Sequence, residues 1–352
     1  MNIFKENKVL SHLETLNKYL SGEEYPPILV ELDLTNKCTS DCPWCFGFLD
    51  RKLKTFSLFE QGSDPVEREN STTTGIKTLI SNLALMGVKA ITFTGGGDPT
   101  CHKGLFEFLE HAHNLGMKLG LITNGVIDVK AALPYCEWIR FSVDGATQET
   151  YGYMHGKPQH FKRVVENISE LCRVKKNMGL KTTVGVGFLT GAPSKNEIVE
   201  FVKLWKDVGG LDYIQYRPLL DKYGEKWFTD NADTLDLIRE AKDFDKRVTY
   251  AEPKYHALVE GKTGKTKKCH GTFLETAIAA DGKVYICCHM KGKPEYAIGD
   301  LYKESIFQIW KRHLSKRDFD VNSDCPSFCR HYGTNKLIED EILSTRDHRF
   351  FI

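Results

Sequence analysis

The chain has no surplus of charge of either sign: 48 Lys and Arg face 47 Asp and Glu over 352 residues, a net charge of +1. Proteins that bind nucleic acid or anionic membranes carry a basic stripe or patch, so nucleic acid and other large polyanions are excluded as main partners. No apolar run approaches the ~20 residues of a membrane span. Residues 1–20 are rich in Lys and Glu, with Leu10, Leu13, Leu16 and Leu20 spaced as an amphipathic helix and no apolar core of a secretory signal. The sequence has no internal repeat. A disulfide framework is also missing, because eleven cysteines are an odd number and eight of them sit in tight groups or isolated ligand-like positions, with only Cys101, Cys136 and Cys172 elsewhere. These absences predict a soluble cytoplasmic protein in a reducing compartment. The length suits one barrel of ~250 residues, or a barrel with a smaller second domain.

Against this background one segment stands out: Cys38-Thr39-Ser40-Asp41-Cys42-Pro43-Trp44-Cys45, directly behind an apolar run at 28–34. Iron-sulfur clusters normally take four thiolates, so three on one short loop leave an iron with an open position for another molecule. A zinc site is the plainer alternative, but zinc sites are normally closed by four protein ligands. The Cys-x3-Cys-x-aromatic-Cys pattern, with Trp44 in the aromatic place, resembles the binding loop of the radical S-adenosylmethionine enzymes. The resemblance implies that Cys38, Cys42 and Cys45 hold a [4Fe-4S] cluster whose fourth iron is chelated by the amino and carboxylate groups of S-adenosylmethionine. It implies a one-electron donor of flavodoxin or ferredoxin type, and a 5'-deoxyadenosyl radical as the reactive product.

From residue 28 to about 220, short β-rich runs alternate with helical periodicity, the pattern of a parallel α/β architecture. Strands are expected at 28–34, 90–94, 118–123, 138–143, 182–189 and 213–217. Helical stripes between them include Ile76, Leu79, Ile80 and Leu83; Leu105, Phe108, Leu109 and Ala112; Phe161, Val164, Val165 and Ile168; and Ile198, Phe201, Val202 and Trp205. Six such units match the partial (β/α)6 TIM-type barrel that the resemblance implies, with active residues at the C-terminal ends of the strands.

Those ends carry polar motifs. Gly95-Gly96-Gly97-Asp98-Pro99 after the second strand resembles the family's Gly-Gly-Glu-Pro motif for the amino group of S-adenosylmethionine, with Asp98 where Glu is usual. Asn124-Gly125 reads as a tight turn. Ser142 and Asp144 alternate to one face of the fourth strand; Ser142 suits a ribose diol, and Asp144 either joins it or caps the following helix. Gly185 and Gly187 make room for adenine or relieve crowding inside the barrel. Arg217 pairs a carboxylate of cosubstrate or substrate, or a solvent-facing acid.

The C-terminal third holds Cys269, Gly282, Cys287, Cys325 and Cys329, with a hairpin expected over 276–288 and its turn at Asp281-Gly282. This resembles the twitch and SPASM auxiliary domains. With five thiols after residue 268 it implies a twitch-like α+β domain with one auxiliary [4Fe-4S] cluster on Cys269, Cys287, Cys325 and Cys329. Cys288, beside a ligand on a strand, should point to the opposite face; it is either a hydrogen-atom donor to a substrate radical or a small buried hydrophobe. The chain thus divides into a helical extension (1–24), a barrel (25–220), a linker (221–268) with a helix near 235–244, and the auxiliary domain (269–352).

The expected reaction is radical abstraction of a C–H hydrogen, followed by dehydrogenation or epimerisation. About 24 residues before the first strand are too few for the leader-binding domain of ~80 residues often found in peptide-modifying relatives. That favours a small substrate such as a sugar, aminocyclitol or nucleoside. The alternatives are maturation of a ribosomally made peptide, by epimerisation or cross-linking, and a non-catalytic iron-sulfur scaffold or electron carrier.

Overall fold

The computed structural model describes residues 6–45, 56–61, 65–191, 194–219, 233–252, 255–256, 266–315, 325 and 330–343. Strands β1 (Leu29–Asp33), β2 (Ala90–Thr94), β3 (Lys118–Thr123), β4 (Trp138–Ser142), β5 (Thr183–Thr190) and β6 (Tyr213–Pro218) lie side by side in chain order, all parallel. They are the six expected strands, with ends shifted by at most one residue. The N-terminal helix is α1 (Leu13–Ser21). Helices α2 (Pro65–Met86), α3 (Leu105–Asn114), α4 (Gln148–His155), α5 (Phe161–Asn177) and α6 (Ile198–Trp205) fill the crossovers.

Alternation along each strand separates two environments. One face, with Val30, Leu32, Ile91, Phe93, Leu121, Ile139, Phe141, Val184, Val186 and Phe188, is fully buried against helix residues such as Ile76, Ile80, Phe108, Val164, Ile168, Phe201 and Trp205. Burying each such side chain contributes about 1.5–3 kcal/mol, so the helix faces hold the barrel together. Phe161 and Val165 of the expected stripes are only partly buried. The other face is polar and looks into the lumen, with Glu31, Asp33, Thr92, Arg140, Ser142, Gln215 and Arg217 in matching register across the sheet.

Three departures from the sequence reading concern how the parts join. After α7 (Thr234–Phe244), the two residues of β7 (Val248–Thr249) pair parallel with β6, so the segment expected as a linker extends the barrel sheet. Its Lys/Gly-rich run lies largely outside the described residues. The expected hairpin forms from β8 (Glu275–Ile278) and β9 (Lys283–Tyr285), with Gly282 at φ 79° in the turn and β10 (Ala297–Asp300) beyond it, but β8 also pairs parallel with β1. The result is one ten-stranded sheet in the order β10-β9-β8-β1-β2-β3-β4-β5-β6-β7. At the N-terminus, a 3-10 segment Glu6–His12 precedes α1, which turns Leu13 and Leu20 to solvent at 66% and 43% exposure. Leu16 and Val9 instead pack with Phe273, Leu274, Trp310 and Ile338.

Ion pairs reinforce the junction of barrel and C-terminal region. Glu31 on β1 pairs with Arg330, which also approaches Glu275 of β8 at 3.5 Å, and His331 lies 2.9 Å from Glu275. Lys291 Nζ sits 2.8 Å from Asp33 Oδ2. Burial alone would raise the Glu31 and Glu275 carboxyls; Arg330, joined by Lys291 at Glu31 and by His331 at Glu275, holds both below the usual carboxylate range. Removing one partner of such a pair leaves a buried charge uncompensated. Lys291→Met should therefore cost about 3–5 kcal/mol in urea denaturation, with part recovered in the Asp33→Asn, Lys291→Met double variant. A midpoint equal to the parent's would show that Asp33 does not depend on Lys291.

Candidate functional site

The three-cysteine loop leaves the C-terminal end of β1 and is held from two neighbouring loops and a helix. Asn124, after β3, donates from Nδ2 to Thr39 Oγ1 (2.8 Å), Ser40 Oγ (3.2 Å) and Cys38 Sγ (3.7 Å), and Ser40 N lies 3.4 Å from Cys38 Sγ. Asn124 is placed in turn by Asp98, whose Oδ2 accepts from Asn124 N at 2.7 Å. The Asp98 carboxylate also accepts from Thr123 Oγ1 and Thr100 N, each at 3.0 Å. Asp98, expected at the cosubstrate, is thus buried as a tie between the β2 and β3 loops. Asn124 is more than a turn residue; its position at a strand end was the available signal.

The glycine turn meets the cysteine loop through its backbone. Gly97 N donates to Thr35 O (3.1 Å) and Asp98 N to Lys37 O (2.9 Å), and a Cβ on Gly97 would collide with the Lys37 carbonyl. Gly96 is less confined: a Cβ there would lie 3.5 Å from Asp33 Oδ2.

A third support comes from α4. Asp41 N donates to His155 O at 2.9 Å, Lys157 Nζ is 2.7 Å from Asp41 Oδ2, and His155 Nδ1 lies 3.4 Å from Cys42 Sγ. His155 stacks on Tyr151 with ring centroids 4.5 Å apart, and its Nε2 is 3.2 Å from Asp144 Oδ2. Burial would lower the imidazole pKa, but the bonds to Asp144 and Cys42 raise it to about 10. Asp144 takes a left-handed φ of 57° and accepts from Leu189 N at 2.7 Å. It does not cap α4; Thr147 does, accepting from Thr150 N. Trp44 leans on Tyr153 with centroids 6.0 Å apart.

Ser142 ends β4 on the lumen face, in register with Gly187. The two glycines of β5 are filled by protein: a Cβ on Gly185 would strike the Tyr213 ring, and one on Gly187 would lie 3.1 Å from Arg217 Nη2. Of the two expectations for them, relief of crowding is what the packing displays.

In the C-terminal region Cys269 is buried, Cys287 and Cys325 are half-buried, and Cys329 lies outside the described residues. Burial, with the neighbouring Cys288 and then Cys269, pushes the Cys287 thiol well above its ordinary range. Cys288 does not continue the strand. It opens a 3-10 turn Cys288–Met290, and its Sγ lies 3.8 Å from Nη1 of Arg330, the residue that pairs with Glu31 on the lumen face. Burial and the Glu31 charge push this thiol up to about 12.

Among the described residues no three His, Cys, Asp or Glu side chains are gathered closely enough to hold a metal ion. The fit of the loop to a cluster therefore rests on donor chemistry: three partly exposed thiols on one loop, the soft ligand set that selects iron-sulfur clusters.

Residues 32–212 match the family model of the radical SAM superfamily. The chain belongs to that superfamily. Residues 269–331 match the SPASM model, an iron-sulfur cluster-binding domain. A radical SAM domain implies a [4Fe-4S] cluster and S-adenosylmethionine, and a SPASM domain implies auxiliary iron-sulfur clusters. The PqqA peptide cyclase of Bradyrhizobium diazoefficiens is 34% identical over 105 residues, 29% of this chain and 23% of that protein. The AdoMet-dependent heme synthase of Methanosarcina barkeri is 27% identical over 192 residues, 53% of this chain and 49% of the relative. These matches thus span half or less of the curated relatives' length. Streptococcus suis SuiB bound to its precursor peptide SuiA has the same fold, with a TM-score of 0.61 at 13% identity, covering 97% of this chain and 82% of SuiB. Among the described residues of this radical SAM protein no helix is long and apolar enough to cross a membrane.

The contrast between the two turn glycines is testable. Gly97→Ala should displace the cysteine loop and lower the iron retained after anaerobic reconstitution, whereas Gly96→Ala should retain parental iron. Equal iron in both variants would show that the close approach at Lys37 does not hold the loop.

Proposed function

We propose that this protein is a maturase that modifies a ribosomally made peptide by radical chemistry. The observation that carries this reading is the 34% identity to a peptide cyclase. The heme synthase likeness keeps a small-molecule substrate as the second reading.

In this reading Cys38, Cys42 and Cys45 hold the cluster that binds S-adenosylmethionine. Gly96 admits its amino group, Ser142 faces the ribose, and Arg217 takes its carboxylate. Cys269, Cys287, Cys325 and Cys329 hold one auxiliary cluster, and the electron comes from a flavodoxin or ferredoxin. The bound cofactors supply a radical that removes a hydrogen atom from a substrate C–H bond. Asn124, Asp98 and the Asp144-His155 pair keep the cysteine loop in place, and the polar lumen orients the substrate.

Anaerobic turnover tests this against the Cys38→Ala, Cys42→Ala, Cys45→Ala variant. About eight irons are expected in the parent and about four in the variant, with 5'-deoxyadenosine formed by the parent alone. Precursor peptides should be converted to a product lighter by two hydrogens or inverted at one stereocentre. Turnover of sugars or nucleosides, and not of peptides, would overturn the peptide reading.

The position of Cys288, beside Arg330 on the barrel side, favours inversion over cross-linking: its thiol would return the hydrogen atom, and the thiyl radical left behind would be restored by one electron from the flavodoxin- or ferredoxin-type donor and a proton from solvent. In deuterated buffer the product should then carry a single deuterium, and Cys288→Ser should abolish its formation. Undiminished deuterium incorporation by Cys288→Ser would remove Cys288 from this role.

A further inference from the structure

The lumen acids and the lumen bases are not matched. Glu31 and Glu275 are met by Arg330, Asp33 by Lys291 and Asp144 by His155. On the opposite wall, β4 and β6 turn Arg140 and Arg217 inward, and among the described residues neither forms an ion pair. Both Nε atoms are shut off from solvent with no hydrogen-bond partner. Arg140 has one neutral contact, Nη1 to Gln215 Oε1 at 3.3 Å. Burial, reinforced by the charge of Arg217, lowers the Arg140 pKa to about 9. A guanidinium withdrawn from water without a counter-charge is costly, and an oxyanion arriving at it recovers that cost.

The two arginines start from different depths. Arg217 springs from the end of β6 and folds over Gly187, level with Ser142, where the cosubstrate is expected. Arg140 springs two residues before Ser142, in register with Ile122 and Gly185, so its Cα lies about 6–7 Å deeper, while its guanidinium reaches up to Gln215, which is in register with Gly187. A cosubstrate carboxylate taken by Arg217, beside Gly187, leaves Arg140 with Gln215 and no anion among the described residues.

We infer that Arg140, seconded by Gln215, is the anchor of an oxyanion subsite on the β4–β6 wall of the lumen, and that the substrate carries a carboxylate or a phosphate which docks there. A planar fork suits both anions in bidentate fashion. The inference holds for a peptide with an acidic side chain or free C-terminus as for an anionic small molecule, and so does not depend on the peptide reading.

The test uses the reconstituted full-length enzyme saturated with S-adenosylmethionine, so that the rim is occupied, titrated calorimetrically with malonate and separately with inorganic phosphate. Saturable binding of at least one probe is expected, and the tighter of the two names the anion class. Arg140→Gln should weaken it by about ten- to a hundredfold, the usual worth of a hydrogen bond to a charged group. Arg217→Lys should weaken it less. No saturable binding by the parent, parental affinity in Arg140→Gln, or a larger loss in Arg217→Lys would each overturn the assignment. If circular dichroism shows Arg140→Gln unfolded, Arg140→Lys carries the test: severalfold weaker binding supports the fork, and parental affinity overturns it.

Discussion

Strand β1 is the constraint on which the rest depends. It carries two carboxylates, Glu31 and Asp33, into the lumen, and the cysteine loop follows directly from its end. In a barrel alone it would also be an edge, with unpaired N–H and C=O groups along one side. The C-terminal region answers both needs. β8 pairs with β1 in register, and Arg330 and Lys291 neutralise the two acids. An ion pair of this kind adds little against an apolar replacement, but breaking it is expensive. The C-terminal region therefore cannot swing away from the barrel without exposing a strand edge and stranding two buried carboxylates. This ties the half-buried Cys287 and Cys288 to the lumen more firmly than a linker would.

The cysteine loop itself has little regular structure and is fixed from outside. Each support comes from the C-terminal end of a different strand: Gly97 and Asp98 after β2, Asn124 after β3, and Asp144, through His155, after β4. Parallel strands place all these ends on one rim, which is why a loop with three reactive thiols is braced there and nowhere else. The supports are also chained: Asp98 positions Asn124, and Asp144 positions His155. A fault in either carboxylate reaches a thiol through one intermediate side chain.

The pattern of what the sequence reveals follows from range. The cysteine spacing, the glycine turn and the six strands are local signals, and the strands fall within a residue of their expected limits. His155 was invisible because its partners Cys42 and Asp144 are set by how α4 packs back on the loop, and Arg140 because only the folded sheet shows that it forms no ion pair among the described residues. Asp98 and Asn124 were visible as motif residues, but the bonds by which they tie the β2 and β3 loops to the cysteine loop were not. The leucines of the first helix misled for a different reason. A 3-10 segment has about three residues per turn, so joining it to an α-helix rotates the apolar stripe partway along. The joined sheet was hidden because β8 reads as a hairpin strand and nothing in four residues names a second, parallel partner.

A net charge of +1 over the whole chain conceals a polarised interior. On the β1 and β8 side every acid has its cation, supplied by residues near the auxiliary cysteines. On the β4 and β6 side two guanidiniums face inward, and among the described residues neither forms an ion pair. Both residues are half-buried, with their Nε atoms shut off from water, so the field of the two guanidiniums is only partly screened inside the lumen. A neutral substrate would gain nothing from that field and would leave both charges unrelieved on binding. An anionic one gains on the β4 wall and finds no unpaired cation among the ion-paired acids of β1, which fixes its direction in the barrel. In the proposed subsite the same asymmetry sets both the charge of the substrate and which end of it meets the β4 wall.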